Sequence, residues 1–169
     1  MNEKSTHANP NKNRTPRHRA REFALQGIYQ WLLSKEDARK VIANIRAAHG
    51  FDKADGEHFV ALMMGVTTQA TQLAEKFSSL IDRTVEELSP IEHAVLLIAT
   101  YELIHQLDIP YRVIINEAVE VAKSFGGTDG HKYVNGVLDK LAPRLRPEEV
   151  AGGKAARTSP SPKEGLEKP

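Results

Sequence analysis

The chain has 169 residues, no cysteine, 40% hydrophobic side chains and a formal net charge of +1. That length suits one compact core rather than a long multidomain enzyme, and the lack of thiols excludes disulfides, thiolate zinc sites and a cysteine nucleophile. No apolar run reaches the roughly 18 residues of a membrane span, and the N-terminal stretch MNEKSTHANPNKNRTPRHRAR has no apolar signal-peptide core, so a soluble cytoplasmic protein is expected.

From the N-terminus, a polar, aperiodic segment reaches about residue 14 and is expected to be disordered. Thr15 followed by Pro16 is an N-cap and first-turn pair, after which Ala20, Phe23, Ala24, Gly27, Ile28, Trp31 and Leu32 recur at three and four residues and predict a helix over about 16–33, with Trp31 in the core. Val41, Ile42, Ile45 and Ala48 mark a second helix that Gly50 closes. A stripe from Phe59 through Leu62, Met63, Val66, Leu73 and Phe77 to Leu80 predicts a third over about 55–81. Two capping boxes follow, Thr84 with Glu87 and Ser89 with Glu92, predicting a short helical turn and then a nearly all-apolar, central helix over about 90–106.

Pro110 opens a helix with Ile114, Ala118, Val121, Ala122 and Phe125 on one face, stopped by Gly126 and Gly127; VIIN at 113–116 is locally ambiguous because of its β-branched residues. The last helix is expected from about 130 to Leu141, with Asp129 as N-cap, Val134, Val137, Leu138 and Leu141 on its core face, and Pro143 ending it. The sum is an all-α fold of seven helices, one of them short. The expected division is a disordered basic tail over 1–14, a helical domain over 15–147 in two packed subdomains (about 15–81 and 82–147), and a disordered tail over 148–169.

The charge is polarised along this chain. Residues 1–21 hold six Lys/Arg against one acid, residues 22–142 hold 11 against 17, and residues 143–169 hold six against four. A basic arm suits a polyanion, and an acidic body suits a basic partner. Catalysis finds little support. The seven histidines include no pair at ligand spacing of four, no HExxH, phosphate-loop, dinucleotide or nucleophile-elbow pattern occurs, and Asp129 with His131 has no nucleophile beside it, so neither metal nor other cofactor is expected.

Two groups of residues point to binding. Arg14, Arg17 and Arg21, spaced three and four apart, are expected to share one flank of the first helix, continued by Gln26 and Tyr29. Guanidinium forks followed by an aromatic suit the phosphates and stacked bases of single-stranded nucleic acid, and a merely solvated flank explains them equally well. At the hinge, Phe125, Lys132 and Tyr133 combine aromatics with a cation, as a stacking platform does, while Phe125 alone is more simply the last core residue of its helix.

Three stretches, RHRAREFALQGIYQWLLS (17–34), SPIEHAVLLIATYELIHQLDIPYRVIINEAVEVAKSFG (89–126) and DGHKYVNGVLDKLAPRLRP (129–147), closely resemble the bacterial NusB transcription antitermination family; residues 35–80 match only in helical character. The resemblance implies a seven-helix, two-part fold without enzymatic activity. It also implies binding to the boxA element of ribosomal RNA leader transcripts together with ribosomal protein S10, in a complex with other antitermination factors and RNA polymerase. By the same resemblance the RNA surface includes Arg17, Arg19 and Arg21, with Arg14 added from the longer tail, then Gln26, Tyr29, Phe125, Asp129, Lys132 and Tyr133, while Glu92 faces S10. His18 interrupts the family's arginine run, which implies weaker or more pH-dependent binding. The alternative is an RNA-recognition module like the N-terminal domain of certain ribosomal RNA methyltransferases, and a third reading is a self-associating homodimer.

Overall fold

The computed structural model describes residues 14–125 and 129–158, with side chains described as far as residue 153. Seven α-helices account for most of the described residues: α1 (Pro16–Ser34), α2 (Ala38–Arg46), α3 (Gly56–Phe77), α4 (Pro90–His105), α5 (Tyr111–Phe125), α6 (Gly130–Leu145) and α7 (Pro147–Thr158). Short 3₁₀ turns at Phe51–Lys53, Ser78–Leu80 and Val85–Glu87 join them, and no strand occurs among the described residues. None of the described helices is long and apolar enough to cross a membrane.

Local chemistry sets where the helices begin. The Thr15 hydroxyl accepts from the His18 amide at 3.0 Å with Pro16 in the first turn, and Asp37 and Asp55 cap α2 and α3 in the same way. Both capping boxes form, Thr84 with Glu87 and Ser89 with Glu92. The first of them organises a 3₁₀ turn and the second starts α4. The ambiguous VIIN stretch is helical, because Ile114 and Ile115 are both buried against neighbouring helices.

Helix α4 is the axis of the molecule, with Ala94 through Thr100, Glu102 and Leu103 all buried. Helices α1, α3, α5 and α6 pack around it, and a single hydrophobic cluster runs from Ala20 to Val150. Close approach requires small residues at two positions. A Cβ on Gly27 would lie 2.6 Å from Met63 Sδ, and one on Gly65 would lie 2.0 Å from the Tyr101 ring, so α1 and α4 each approach α3 there. Helix α3 is kinked at Gln69 (φ −121°, ψ 15°), just after Thr67 and Thr68 return their hydroxyls to the carbonyls of Met63 and Met64. The third helix ends at Phe77, four residues short of its expected limit, and the 3₁₀ turn Ser78–Leu80 continues it.

Three expectations require correction. Trp31 is half-buried at the rim of the core. Helix α6 runs through Pro143 to Leu145, because both Pro143 and Asp139, whose carbonyl loses its helical partner, are exposed and water can supply the missing bond. Beyond it, the segment expected to be disordered from residue 148 forms α7 as far as Thr158. Arg146 explains this order. Its buried guanidinium donates to the carbonyls of Glu102, Leu103, Gln106 and Ile109 and to Glu149, satisfying the C-terminal end of α4. Glu149 in turn accepts from the Tyr111 amide at 2.8 Å at the start of α5, and Val150 is buried beneath. The basic tail over 1–13 and the residues after 158 lie outside the described residues.

Candidate nucleic-acid interface

The basic residues of α1 divide into two groups. Arg21 is only 5% exposed, and its Nε and Nη2 donate to the two carboxylate oxygens of Glu102, both at 2.8 Å. Its Nη1 lies 3.6 Å from Glu117 of α5, while His58 Nε2 of α3 is 3.7 Å from Glu102. Burial works against the charge of Arg21, but hydrogen bonding to Glu102 and the nearby carboxylate charges outweigh it and hold the guanidinium more firmly protonated than usual. Burial likewise pushes the Glu102 carboxyl up, and the Arg21 fork more than offsets this, leaving it below the usual carboxylate range. The expected exposed flank of Arg14, Arg17 and Arg21 is therefore corrected: Arg21 ties α1 to α4. At about 100° per residue, Arg17 and Arg21 both lie within about 40° of the buried line through Ala24 and Ile28, and Arg17 reaches solvent because it sits in the first turn.

Arg17 is exposed, with Nε 3.6 Å from Asp55, and Arg14 lies just before the helix with Nη1 3.0 Å from Glu22. Arg19 is half-buried and falls on the side of Gln26, within about 20° around the helix, with Tyr29 beside them; Gln26 and Tyr29 are exposed. His18 stands between two acids, with Nδ1 2.5 Å from Glu117 and Nε2 3.1 Å from Glu22. The residue that breaks the arginine run thus links α1 to α5.

The hinge group gathers where α5 ends and α6 begins. Phe125 is 36% exposed, Asp129 and Lys132 are exposed 3.6 Å apart, and residues 126–128 lie outside the described residues. Asp129 makes no side-chain cap to α6, contrary to expectation. Its backbone is helical (φ −115°, ψ −5°), whereas an N-cap side chain reaches its amide from an extended backbone. Tyr133 is half-buried and donates its hydroxyl to Asp82 at 3.1 Å, while the Arg83 guanidinium lies 4.5 Å from the centre of its ring. Arg83 also binds Asp82 at 2.8 Å, and together with the Tyr133 hydroxyl this holds the Asp82 carboxyl below its usual range. Burial and the bond to Asp82 push the Tyr133 phenol up. Neither Asp82 nor Arg83 was signalled by the sequence, because Asp82 meets Tyr133 across 51 positions and Arg83 is the neighbour of Asp82.

Glu92 sits in the first turn of α4, half-buried, accepting from the Ser89 amide at 3.4 Å and lying against Gly130 of α6, where an added Cβ would meet Glu92 Oε1 at 3.6 Å. The two binding groups share α5 as a rail. Glu117 holds the start of α1, and Phe125, eight residues further on, lies about 12 Å along the helix axis. Among the described residues no cluster of His, Cys, Asp or Glu is arranged to hold a metal ion.

Among the described residues, a seven-helix bundle wound around one apolar helix carries a basic helix start and an aromatic hinge on its surface. The NusB family profile matches residues 18–143. The chain is 58% identical over 139 residues to the transcription antitermination protein NusB of Aromatoleum aromaticum, covering 82% of this chain and 96% of that protein, and 55% identical over 138 residues to that of Cupriavidus pinatubonensis, covering 82% and 83%. Among solved structures, that of Thermotoga maritima NusB ("T. maritima NusB, P3121, Form 2") superposes with a TM-score of 0.73 at 30% identity, covering 82% of this chain and 99% of that one. A structure described as antitermination factors NusB and NusE in complex with dsRNA superposes with a TM-score of 0.70 at 19% identity, covering 76% and 97%. This chain belongs to the NusB family, a family of transcription antitermination proteins rather than enzymes.

Proposed function

We propose that the protein binds the boxA element of ribosomal RNA leader transcripts together with ribosomal protein S10, and that this complex, joined by other antitermination factors, keeps RNA polymerase processive across ribosomal RNA operons in the cytoplasm. Membership of the NusB family carries this reading. A solved structure of the same fold, described as NusB and NusE in complex with dsRNA, supports it by analogy.

In this reading Arg14, Arg17 and Arg19 meet phosphates, Gln26 and Tyr29 extend that contact along α1, and Phe125, Asp129, Lys132 and Tyr133 form the hinge wall. Arg21 holds α1 in place rather than touching RNA. Arg17 and Lys132 are paired only with exposed or half-buried carboxylates, so a phosphate replaces each partner at little cost. With about four phosphates neutralised, log K falls with log salt at a slope near −3, a loss of about fifty-fold between 50 and 200 mM. RNA affinity of the protein alone is then modest, and S10 raises it by adding its own RNA contacts to the same strand. Residues 22–142, with 17 acids against 11 bases, suit a basic ribosomal partner, and Glu92 lies on that side.

Fluorescence anisotropy of a boxA RNA and a scrambled RNA of equal length, each with and without S10, tests the reading. Preference for boxA that tightens with S10 is expected. Equal binding of both RNAs, unmoved by S10, would overturn it.

A further inference from the structure

The hinge does not end at Tyr133. Two side-chain bonds lay the segment 79–82 along α6: Tyr133 to Asp82 at 3.1 Å, and Arg144 Nη1 to the Ser79 hydroxyl at 3.1 Å. At about 100° per residue, Tyr133, Lys140 and Arg144 fall within about 40° of one another, so they follow one edge of α6 beside that segment. Lys140 and Arg144 are exposed. Gly136, on the outer side of the same edge, has nothing within 4 Å of where a Cβ would stand, leaving an open shelf between Tyr133 and Lys140. Arg83 is paired with Asp82, which also accepts from Tyr133, so the net positive charge of the edge comes from Lys140 and Arg144.

Arg83 changes what a base would meet at the hinge. Its guanidinium covers the Tyr133 ring at 4.5 Å while its side chain stays 37% exposed. A planar cation stacked on an aromatic offers its own flat surface to a nucleobase and its N–H groups to a phosphate. From Tyr133 to Arg144 the edge is about 16 Å long, enough for about five phosphates at the 3.4 Å per-strand spacing of stacked nucleic acid.

We propose that this edge is a second RNA segment site, a path for single-stranded RNA flanking the hinge-bound element, with Arg83 stacking a base and Lys140 and Arg144 contacting phosphates. The proposal rests on the RNA-binding reading above and adds Arg83, Lys140 and Arg144, which the sequence pattern did not single out. Continuity with the hinge, the cations along the edge and a guanidinium lying over an aromatic ring at one end favour a nucleic-acid strand over an acidic peptide, which has no bases to stack.

The test compares a boxA RNA with the same RNA carrying five extra uridines at its 5′ end or at its 3′ end, against the full-length protein. One extension should tighten wild-type binding by about tenfold and steepen the salt slope by about 1.4, the share of two phosphates at about 0.7 each. The double variant Lys140→Gln, Arg144→Gln should bind the unextended RNA as wild type does and lose the gain, and Arg83→Gln should lose the stacking part of it. Equal gains in wild type and double variant would overturn the proposal, as would a wild type that binds the unextended RNA but gains from neither extension. If wild type binds no boxA RNA at all, the RNA-binding reading falls and takes this site with it. Circular dichroism confirms folding, and an exposed α6 edge tolerates glutamine.

Discussion

Replacing Arg21 by alanine separates a structural arginine from an RNA-binding one. The side chain is 6% exposed and makes two hydrogen bonds of 2.8 Å to a carboxylate that is itself 1% exposed, so its removal leaves Glu102 charged, buried and short of its main partner. Breaking a buried pair from one side costs about 3–5 kcal/mol, against about 5–15 kcal/mol for the whole stability of such a domain. At about 2 kcal/mol per molar urea, the unfolding midpoint should fall by about 1.5–2.5 M. Arg21→Met with Glu102→Leu should recover much of that loss, since a well-packed apolar pair needs no compensation for buried charge. The same pair predicts the acid limb of stability. The Glu102 carboxyl sits below its ordinary value of 4.5, so its ionised form stabilises the fold above that pH and the contribution is lost as pH falls through the lower folded-state value. Urea unfolding at pH 7 and pH 4, with RNA titration of the folded variant, reads all of this. An Arg21→Ala protein of unchanged stability, with a salt slope flattened by about 0.7, would refute the assignment and return Arg21 to the RNA surface.

Other perturbations follow from the same contacts. Arg146→Ala should cost about 3 kcal/mol or more, since the carbonyls of α4 and of the α4–α5 connection that it satisfies are left unpaired, and hydrogen exchange should show α7 released; unchanged protection of residues 147–153 would contradict the clasp. Tyr133→Ala should lower RNA affinity by about 1–3 kcal/mol with helicity intact, measured by anisotropy and circular dichroism, and a fully unfolded variant would make Tyr133 a core residue instead. Glu92→Lys should weaken S10 binding more than RNA binding and also lose about 1 kcal/mol with its capping box, while Glu92→Gln keeps the cap; equal S10 affinity of wild type and the lysine variant would remove Glu92 from that interface.

How far the sequence could be read depended on the distance over which each residue acts. The caps at Thr15, Thr84 and Ser89 join groups three residues apart, so those helix starts were legible from pattern alone. The apolar run of α4 likewise announced a helix buried on every side. Arg21 was misplaced because its partner lies 81 positions away on α4, and at a helix start a regular arginine spacing looks the same whether it faces a phosphate or a buried carboxylate. Helix α7 was hidden for a similar reason. Its Gly and Pro content suggests disorder, yet Pro147, Glu148 and Glu149 make a proper first turn, and what anchors it is Arg146 reaching carbonyls of α4 and of the connection to α5. The hinge residues Phe125, Lys132 and Tyr133 lie within nine positions of one another, so a local pattern was enough to group them. Asp82 and Arg83, which complete that group, come from a connection whose position no local pattern reveals.

The most direct test of the RNA interface is an NMR titration of the ¹⁵N-labelled protein with boxA RNA, following every backbone amide. The account predicts that shifts concentrate at residues 14–29, in α1 and just before it, and around 125 and 129–133 at the hinge. Shifts confined to α2 and the first half of α3, or none under conditions where boxA binds, would contradict it.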